Sequence, residues 1–206
     1  TINKSSGTVD MGTGTIDLDS SLTISSGELK ATTGTLSING NFTHTAGGTF
    51  THNSGTVLFD MNSSRTFDVA TSDTFNHVTI NAIGAQNLDI ASGDSLIVIG
   101  TLTLTNGTVN TGTLEAQGNV TIGSTFDGGG APLTFTGTAA TQTFTTAAAY
   151  GGVVTINKSS GTVDMGTGTI DLICRLNVAL GEAFAQAARA VAMSAGVPLE
   201  AVELIG

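Results

Sequence analysis

The sequence predicts an all-β chain: a β-solenoid (parallel β-helix) built from repeats of about 77 residues, with a short C-terminal α-helical tail. Three observations predict it. Residues 1–18, TINKSSGTVDMGTGTIDL, recur unchanged at 155–172, and a weaker copy starts between them, so that Thr-Ile-Asn stands at 1–3, 79–81 and 155–157. Apolar residues alternate in runs of three to five, each closed by Gly, Asn, Asp or Ser. The composition is that of turn-punctuated strands, with 36 Thr, 28 Gly and 2 Pro among 206 residues and only 11% charged.

The strand runs follow in order. Thr8–Met11, Thr15–Leu18, Leu22–Ile24, Leu36–Ile38, Val57–Phe59 and Val78–Ile80 each read with period two and are rich in β-branched side chains. Such runs are half-buried strands. They give roughly ten strands per copy at this spacing, and no 3.6-residue period appears before residue 173. The two copies align well beyond their marker. Leu22 pairs with Leu102, Gly27 with Gly107, Leu29 with Val109, Leu36 with Leu114, Gly40 with Gly118 and Asn41 with Asn119. Phe50, Phe59, Phe67 and Phe75 pair with Phe126, Phe135, Phe144 and Tyr150. Four aromatic positions kept against a 5% aromatic background are read as core layers.

A sandwich would make each copy one domain, with strands of five or six residues. A solenoid would make each copy three or four coils of about twenty residues. The shortness of the strands and the absence of a Pro-containing linker favour the solenoid. So do the Thr, Ser and Asn residues able to stack as ladders, and the scarcity of charges that would repel when stacked.

The organisation is thus 1–172, a repeat region with copies at 1–78 and 79–154 and a partial copy at 155–172, followed by 173–206. The second segment holds no Thr, nine Ala and the only Cys, Cys174. Leu176, Leu180, Phe184, Ala187, Val191 and Ala195 form a helical stripe, with Gly196 and Pro198 as its stop. Copy one continues from Leu18 into Asp19-Ser20, whereas the third copy switches from Leu172 to Ile173-Cys174-Arg175. The switch is read as a misjoined or foreign segment, ahead of the alternative that an amphipathic helix caps the solenoid.

Composition excludes several functions. Sixteen acidic residues against six basic, a net charge of −10, make nucleic acid or anionic lipid a poor partner. No apolar run is long enough to span a membrane as a helix. No secretory leader is read at Thr1. An apolar share of 39% and a mean hydropathy of +0.26 do not fit disorder.

The Gly-Asn-Phe-Thr unit at 40–43, the Gly-Thr-Val-Leu-Phe unit at 55–59 and the run 154–163 resemble the strand-repeat regions of filamentous haemagglutinin-like and autotransporter-like bacterial surface adhesins. That resemblance implies an extracellular or cell-surface location and a non-enzymatic role as adhesin stalk or structural scaffold. Host or surface glycans, proteins or neighbouring surface proteins would be its partners, and no cofactor is implied. The tail resembles a fragment of the anhydro-N-acetylmuramic acid kinases over Arg175–Asn177, Leu180–Ala185, Ala195–Pro198 and Val202–Gly206. The alternative reading is therefore a fragment fused to part of such a sugar kinase. No complete active site comes with it.

No catalytic, cofactor or metal residue is assigned. His44 and His52, eight apart, lack a third metal ligand nearby and are read as exposed and unpaired. Asp10 and Asp17, repeated as Asp164 and Asp171, flank Gly-Thr-Gly and are read as turn or solvent-face carboxylates. Lys4, Lys30, Arg65 and Lys158 are too few for a charged catalytic cluster. Thr-x-Thr motifs recur at 13–15, 43–45, 49–51, 101–105, 111–113, 134–138, 141–145 and 167–169. Stacked in register on a flat solenoid face, such motifs bind ice in some proteins. Their irregular spacing here points to ordinary threonine β-propensity. Asn-x-Ser/Thr acceptors at Asn3, Asn41, Asn62, Asn106, Asn119 and Asn157 matter only in a glycosylating route.

Overall fold

A computed structural model describes residues 1–166. The helix expected over 176–195, the sugar-kinase resemblance, the end of the third copy and Asp171 lie outside the described residues. Within them the chain has nineteen β-strands and no helix. It winds as a β-solenoid of eight coils, and every strand pairing is parallel.

The first coil holds β1 (Ile2–Asp10) and β2 (Ile16–Leu18), and the second β3 (Leu22–Lys30) and β4 (Thr35–Ile38). The third holds β5 (Phe42–His44), β6 (Gly48–Thr51) and β7 (Thr56–Met61). The fourth holds β8 (Arg65–Val69), β9 (Ser72–Phe75) and β10 (His77–Ala82). In the fifth, β11 (Asn87–Ile90) and β12 (Ser95–Val98) lead into β13 (Leu102–Asn110), which runs on into the sixth. There β14 (Thr113–Ala116) leads into β15 (Val120–Gly128), which runs on into the seventh with β16 (Leu133–Phe135) and β17 (Thr141–Thr146). The eighth holds β18 (Val154–Ile156) and β19 (Thr162–Asp164).

Seven coils lay strands on three faces, A, B and C, in chain order, and the eighth on B and C. On face A, Ile2 pairs with Ile24, and Leu22, Phe42, Phe67 and Ile90 stack in one column. Face B holds Asp73, Leu96, Leu114, Leu133 and Val154 in one column. Face C stacks Ile16, Leu36, Val57, Val78, Leu102, Val120 and Phe144. Strands β1 and β3 bend from A to B, and β13 and β15 from C to A. Paired residues of successive coils lie 18 apart at Leu102 and Val120, and 25 apart at Phe42 and Phe67. The corners absorb this variation. Period-two alternation survives in most strands, with the apolar set inward and its polar neighbours outward, while β1 and β4 depart from it and Asp73 and Gln142 are polar residues turned inward.

The sequence repeat and the coil do not have the same length. Ile2, Ile80 and Ile156 are repeat equivalents, and they lie on faces A, C and B. One repeat spans eleven strand positions, or three and two-thirds turns, against the three or four coils and about ten strands expected. Each copy is therefore rotated by a third of a turn, and copy boundaries do not fall on coil boundaries. The local conformation is inherited despite the rotation. Gly27 bends β3 at the A–B corner with φ +72°, and its equivalent Gly107 bends β13 at the C–A corner with φ +89°. Only glycine adopts that region without strain.

The aromatic contacts are inherited as well. Phe59 packs against Phe67 with ring centroids 6.3 Å apart, and their equivalents Phe135 and Phe144 pack at 5.4 Å. Phe50 and Phe75 lie 5.0 Å apart, and Phe126 and Tyr150 lie 6.3 Å apart. Phe42 joins the first group, stacked on Phe67 at 5.3 Å. All of these rings except that of Phe50 are buried. Each buried ring contributes about 1.5–3 kcal/mol by leaving water, and each pair adds about 0.5–1.5 kcal/mol. Two aromatic plugs thus fill the interior in the third and fourth coils and again in the seventh and eighth.

Candidate functional site

Alternation from Phe42 points His44 inward, in a column between Ile24 and Val69. The histidine is half-buried there, its side chain 11% exposed, and its Nδ1 hydrogen-bonds Asp73 Oδ1 at 2.9 Å and Oδ2 at 2.8 Å. This corrects the expectation of an exposed, unpaired histidine. The run Phe-Thr-His, aligned with Leu22-Thr23-Ile24 of the coil below, carried the signal for its inward orientation. Burial pushes the Asp73 carboxyl above its ordinary value, more than the His44 bond pulls it down, with Asp94 nearby adding to the rise. The second ring nitrogen, Nε2, is buried without a partner, and Gly48 sits against the ring because any Cβ there would lie 3.1 Å from Nε2. His52 stays on the turn, its Nδ1 accepting from the Ser54 N–H at 3.0 Å. The two histidines do not form a site together. Among the described residues no group of three or more His, Cys, Asp or Glu side chains could hold a metal ion.

Asp10 is a turn carboxylate. Its Oδ1 accepts from the Gly12 N–H at 2.9 Å and its Oδ2 from Lys30 at 3.0 Å, and these bonds, the backbone one foremost, lower its pKa. Asp164 repeats the turn through the Gly166 N–H at 2.8 Å. Asp17 is an exposed residue of β2. The four Lys and Arg side chains among the described residues are dispersed, each serving its own neighbourhood. Arg65 bonds Asn39 and Asn62, Lys30 pairs with Asp10, and Lys4 bonds the Thr8 carbonyl at 3.2 Å. Lys158, identical to Lys4 in local sequence, instead reaches across to the seventh coil. It donates to the Gly137 carbonyl at 2.6 Å, to Ala139 and to the buried Gln142. Gln142 in turn donates to the Ala116 and Gly118 carbonyls, at 3.1 and 2.8 Å.

That network backs a shallow groove of about 530 Å³ at the B–C corner, lined by Ile99, Glu115, Gln117, Thr136 and the 137–139 loop. Glu115 Oε1 accepts from the Thr136 hydroxyl at 2.7 Å and from Gln117 Nε2 at 3.1 Å. This single carboxylate is already held by its neighbours.

The outward side of face C is more regular. Two columns of side chains run along it: Thr35, Thr56, His77, Thr101, Asn119 and Thr143, and beside them Ser37, Leu58, Thr79, Thr103, Thr121 and Thr145. The register is direct for Thr35–Thr56–His77 and for the whole second column. Hydrogen bonds to Thr101, Asn119 and Thr143 place the upper half of the first. No bulge interrupts these stretches. Of the Thr-x-Thr motifs, those at 101–105 and 141–145 lie in these columns, two coils apart with Asn119-x-Thr121 between them, whereas 43–45 lies on face A and 49–51 and 134–136 on face B.

No family model, no curated protein and no solved structure matches the chain.

Proposed function

We propose that residues 1–172 are a stalk or structural scaffold of a secreted bacterial surface adhesin, without enzymatic activity. The observation that carries this reading is the unbroken parallel ladder from the first coil to the eighth around one apolar interior. In such a ladder each coil is covered by its neighbours, so added repeats lengthen the rod without a new core. The dispersal of the four Lys and Arg side chains among the described residues and the engagement of Glu115 by Thr136 and Gln117 support a surface that carries loops and polar ladders over one that carries out acid–base chemistry. The resemblance of units 40–43, 55–59 and 154–163 to adhesin strand repeats supports the cell-surface location.

Protease shaving of intact cells that produce the chain natively tests this reading. Peptides from residues 1–166 are expected in the shaved fraction. Their confinement to the fraction released only on lysis would overturn it.

A further inference from the structure

Face C carries a second feature that the stalk role does not use. Strands in a sheet lie about 4.7–4.9 Å apart, and alternate residues of one strand lie about 6.6 Å apart. The two columns therefore form a two-dimensional array with both spacings set by the backbone ladder. At its upper end the rungs read Thr101-x-Thr103, Asn119-x-Thr121 and Thr143-x-Thr145, above Thr79. Thr121, Thr143 and Thr145 are exposed and Thr79, Thr101 and Thr103 half-buried.

Three observations separate this array from ordinary threonine-rich strand surface. None of these six hydroxyls bonds a protein group among the described residues, whereas those of Thr8, Thr45, Thr51, Thr125 and Thr136 do. Between Ser37 and Thr145 no Asp, Glu, Lys or Arg occupies the two columns, which end at Asp17 below Ser37 and Asp164 above Thr143, with Asp60 exposed beside them on the same face. The equivalent positions on face A, by contrast, are broken by Asp68 and then Asp89, and face B carries Glu28, Lys30 and Glu115. Finally, the array is rigid before any ligand arrives, since every rung is hydrogen-bonded to the next.

We propose that face C adsorbs to ice, as a function additional to the stalk role and independent of it. Each threonine offers a hydroxyl, which can take a lattice position, beside a methyl group, which holds water off the trough between the columns. The oxygen atoms of a crystalline water surface repeat in two directions at distances close to those of the array, so several rungs engage at once with no conformational entropy lost. The stretch from Thr79 to Thr145 carries no charge within its two columns, which suits a neutral lattice. A flexible glycan or an irregular protein surface could match such an array at only one or two rungs.

The test uses the full 206-residue chain, with thermal hysteresis and partition into a growing ice front as readouts. Both are expected for the parent, lost in Thr121→Lys and kept in Ser72→Lys on face B, with far-ultraviolet circular dichroism unchanged. Thr145→Asp is the second variant, because Asp68 shows that the repeat accepts aspartate at that position, and it too should lose both signals. The proposal is overturned if the parent shows neither signal, if a crystalline cellulose or chitin slurry retains the chain and ice does not, or if Ser72→Lys loses as much as Thr121→Lys. Any of these failures leaves the cell-surface reading standing, since shaving reports location alone.

Discussion

His44 and Asp73 form a hydrogen-bonded pair at the inner side of the third and fourth coils, with Nδ1 2.8 Å from the nearer carboxylate oxygen. The other pair, Lys30 with Asp10, lies on the surface. The His44–Asp73 pair ties β5 of the third coil to β9 of the fourth, and its polar bonds are closed at one end only, since Nε2 has no partner.

Removing His44 should therefore cost more than its size suggests. His44→Leu fits the aliphatic column of Ile24 and Val69 but strands a buried carboxylate, at a loss of about 3–5 kcal/mol at pH 7. The pH dependence has a definite sign. A carboxyl held above its ordinary value binds its proton more tightly folded than unfolded, so its contribution is fully present below the unfolded value and is lost as pH rises through the folded one. The defect of His44→Leu should accordingly shrink as pH falls toward 4, the ordinary carboxylate range. Urea unfolding at the two pH values checks this, and His44→Leu/Asp73→Leu should recover most of the loss at neutral pH.

Phe67→Ala should lower stability by about 3–5 kcal/mol, because the ring touches Phe42, Phe59 and Phe75 at once. Phe144→Ala should fall in the same range, since it opens the inherited contact with Phe135. Thermal melts of the two variants measure both, and a near-neutral Phe144→Ala would contradict inheritance of the core contacts.

Two glycine substitutions separate crowding from backbone strain. A Cβ on Gly118 would stand 1.6 Å from the Gly100 carbonyl oxygen, so Gly118→Ala must push adjacent coils apart. Gly84 has φ +63° with nothing near its Cβ position, and Gly84→Ala carries only the left-handed penalty of about 1–2 kcal/mol. Amide hydrogen exchange should show protection lost across the fifth and sixth coils for Gly118→Ala, and only around the 83–86 turn for Gly84→Ala.

Tyr150 donates its hydroxyl to the Ala131 carbonyl at 2.7 Å, and burial holds its pKa far above the ordinary tyrosine value of 10.0. The unfolded chain ionises near that ordinary value while the folded one does not, so this stabilisation is complete below it and is lost as pH rises above it. Tyr150→Phe should cost about 1 kcal/mol at pH 7. It should also flatten the decline in stability above about pH 10. Parallel melts from pH 8 to 11 give the comparison.

The inward sets were legible where period two runs unbroken: Leu22-Thr23-Ile24 and Val78-Thr79-Ile80 read the same way in sequence and in space. The repeat was legible too, down to the pairing of Phe59 with Phe135. What it did to the coil was not, because nothing at Ile2 or Ile80 says how many strands complete a turn, and the corner loops vary. That same variation hid the register of the face C threonines. His44 was misjudged from its residue type although Phe42, two positions before, already indicated its direction. The Asp73 partner lies 29 residues on, a relation that only the winding supplies.

Eleven is not a multiple of three, and this has an evolutionary consequence. Duplicating the unit carries any loop or substituent a third of the way round the circumference, so three tandem units are needed to return to the same azimuth. Insertions arising once per unit would climb the outside as a spiral staircase. The rungs 101–103, 119–121 and 143–145 all lie within one unit, and their equivalents 21–23, 41–43 and 66–68 stand together on face A, so copying moves such a stripe whole from one side to another.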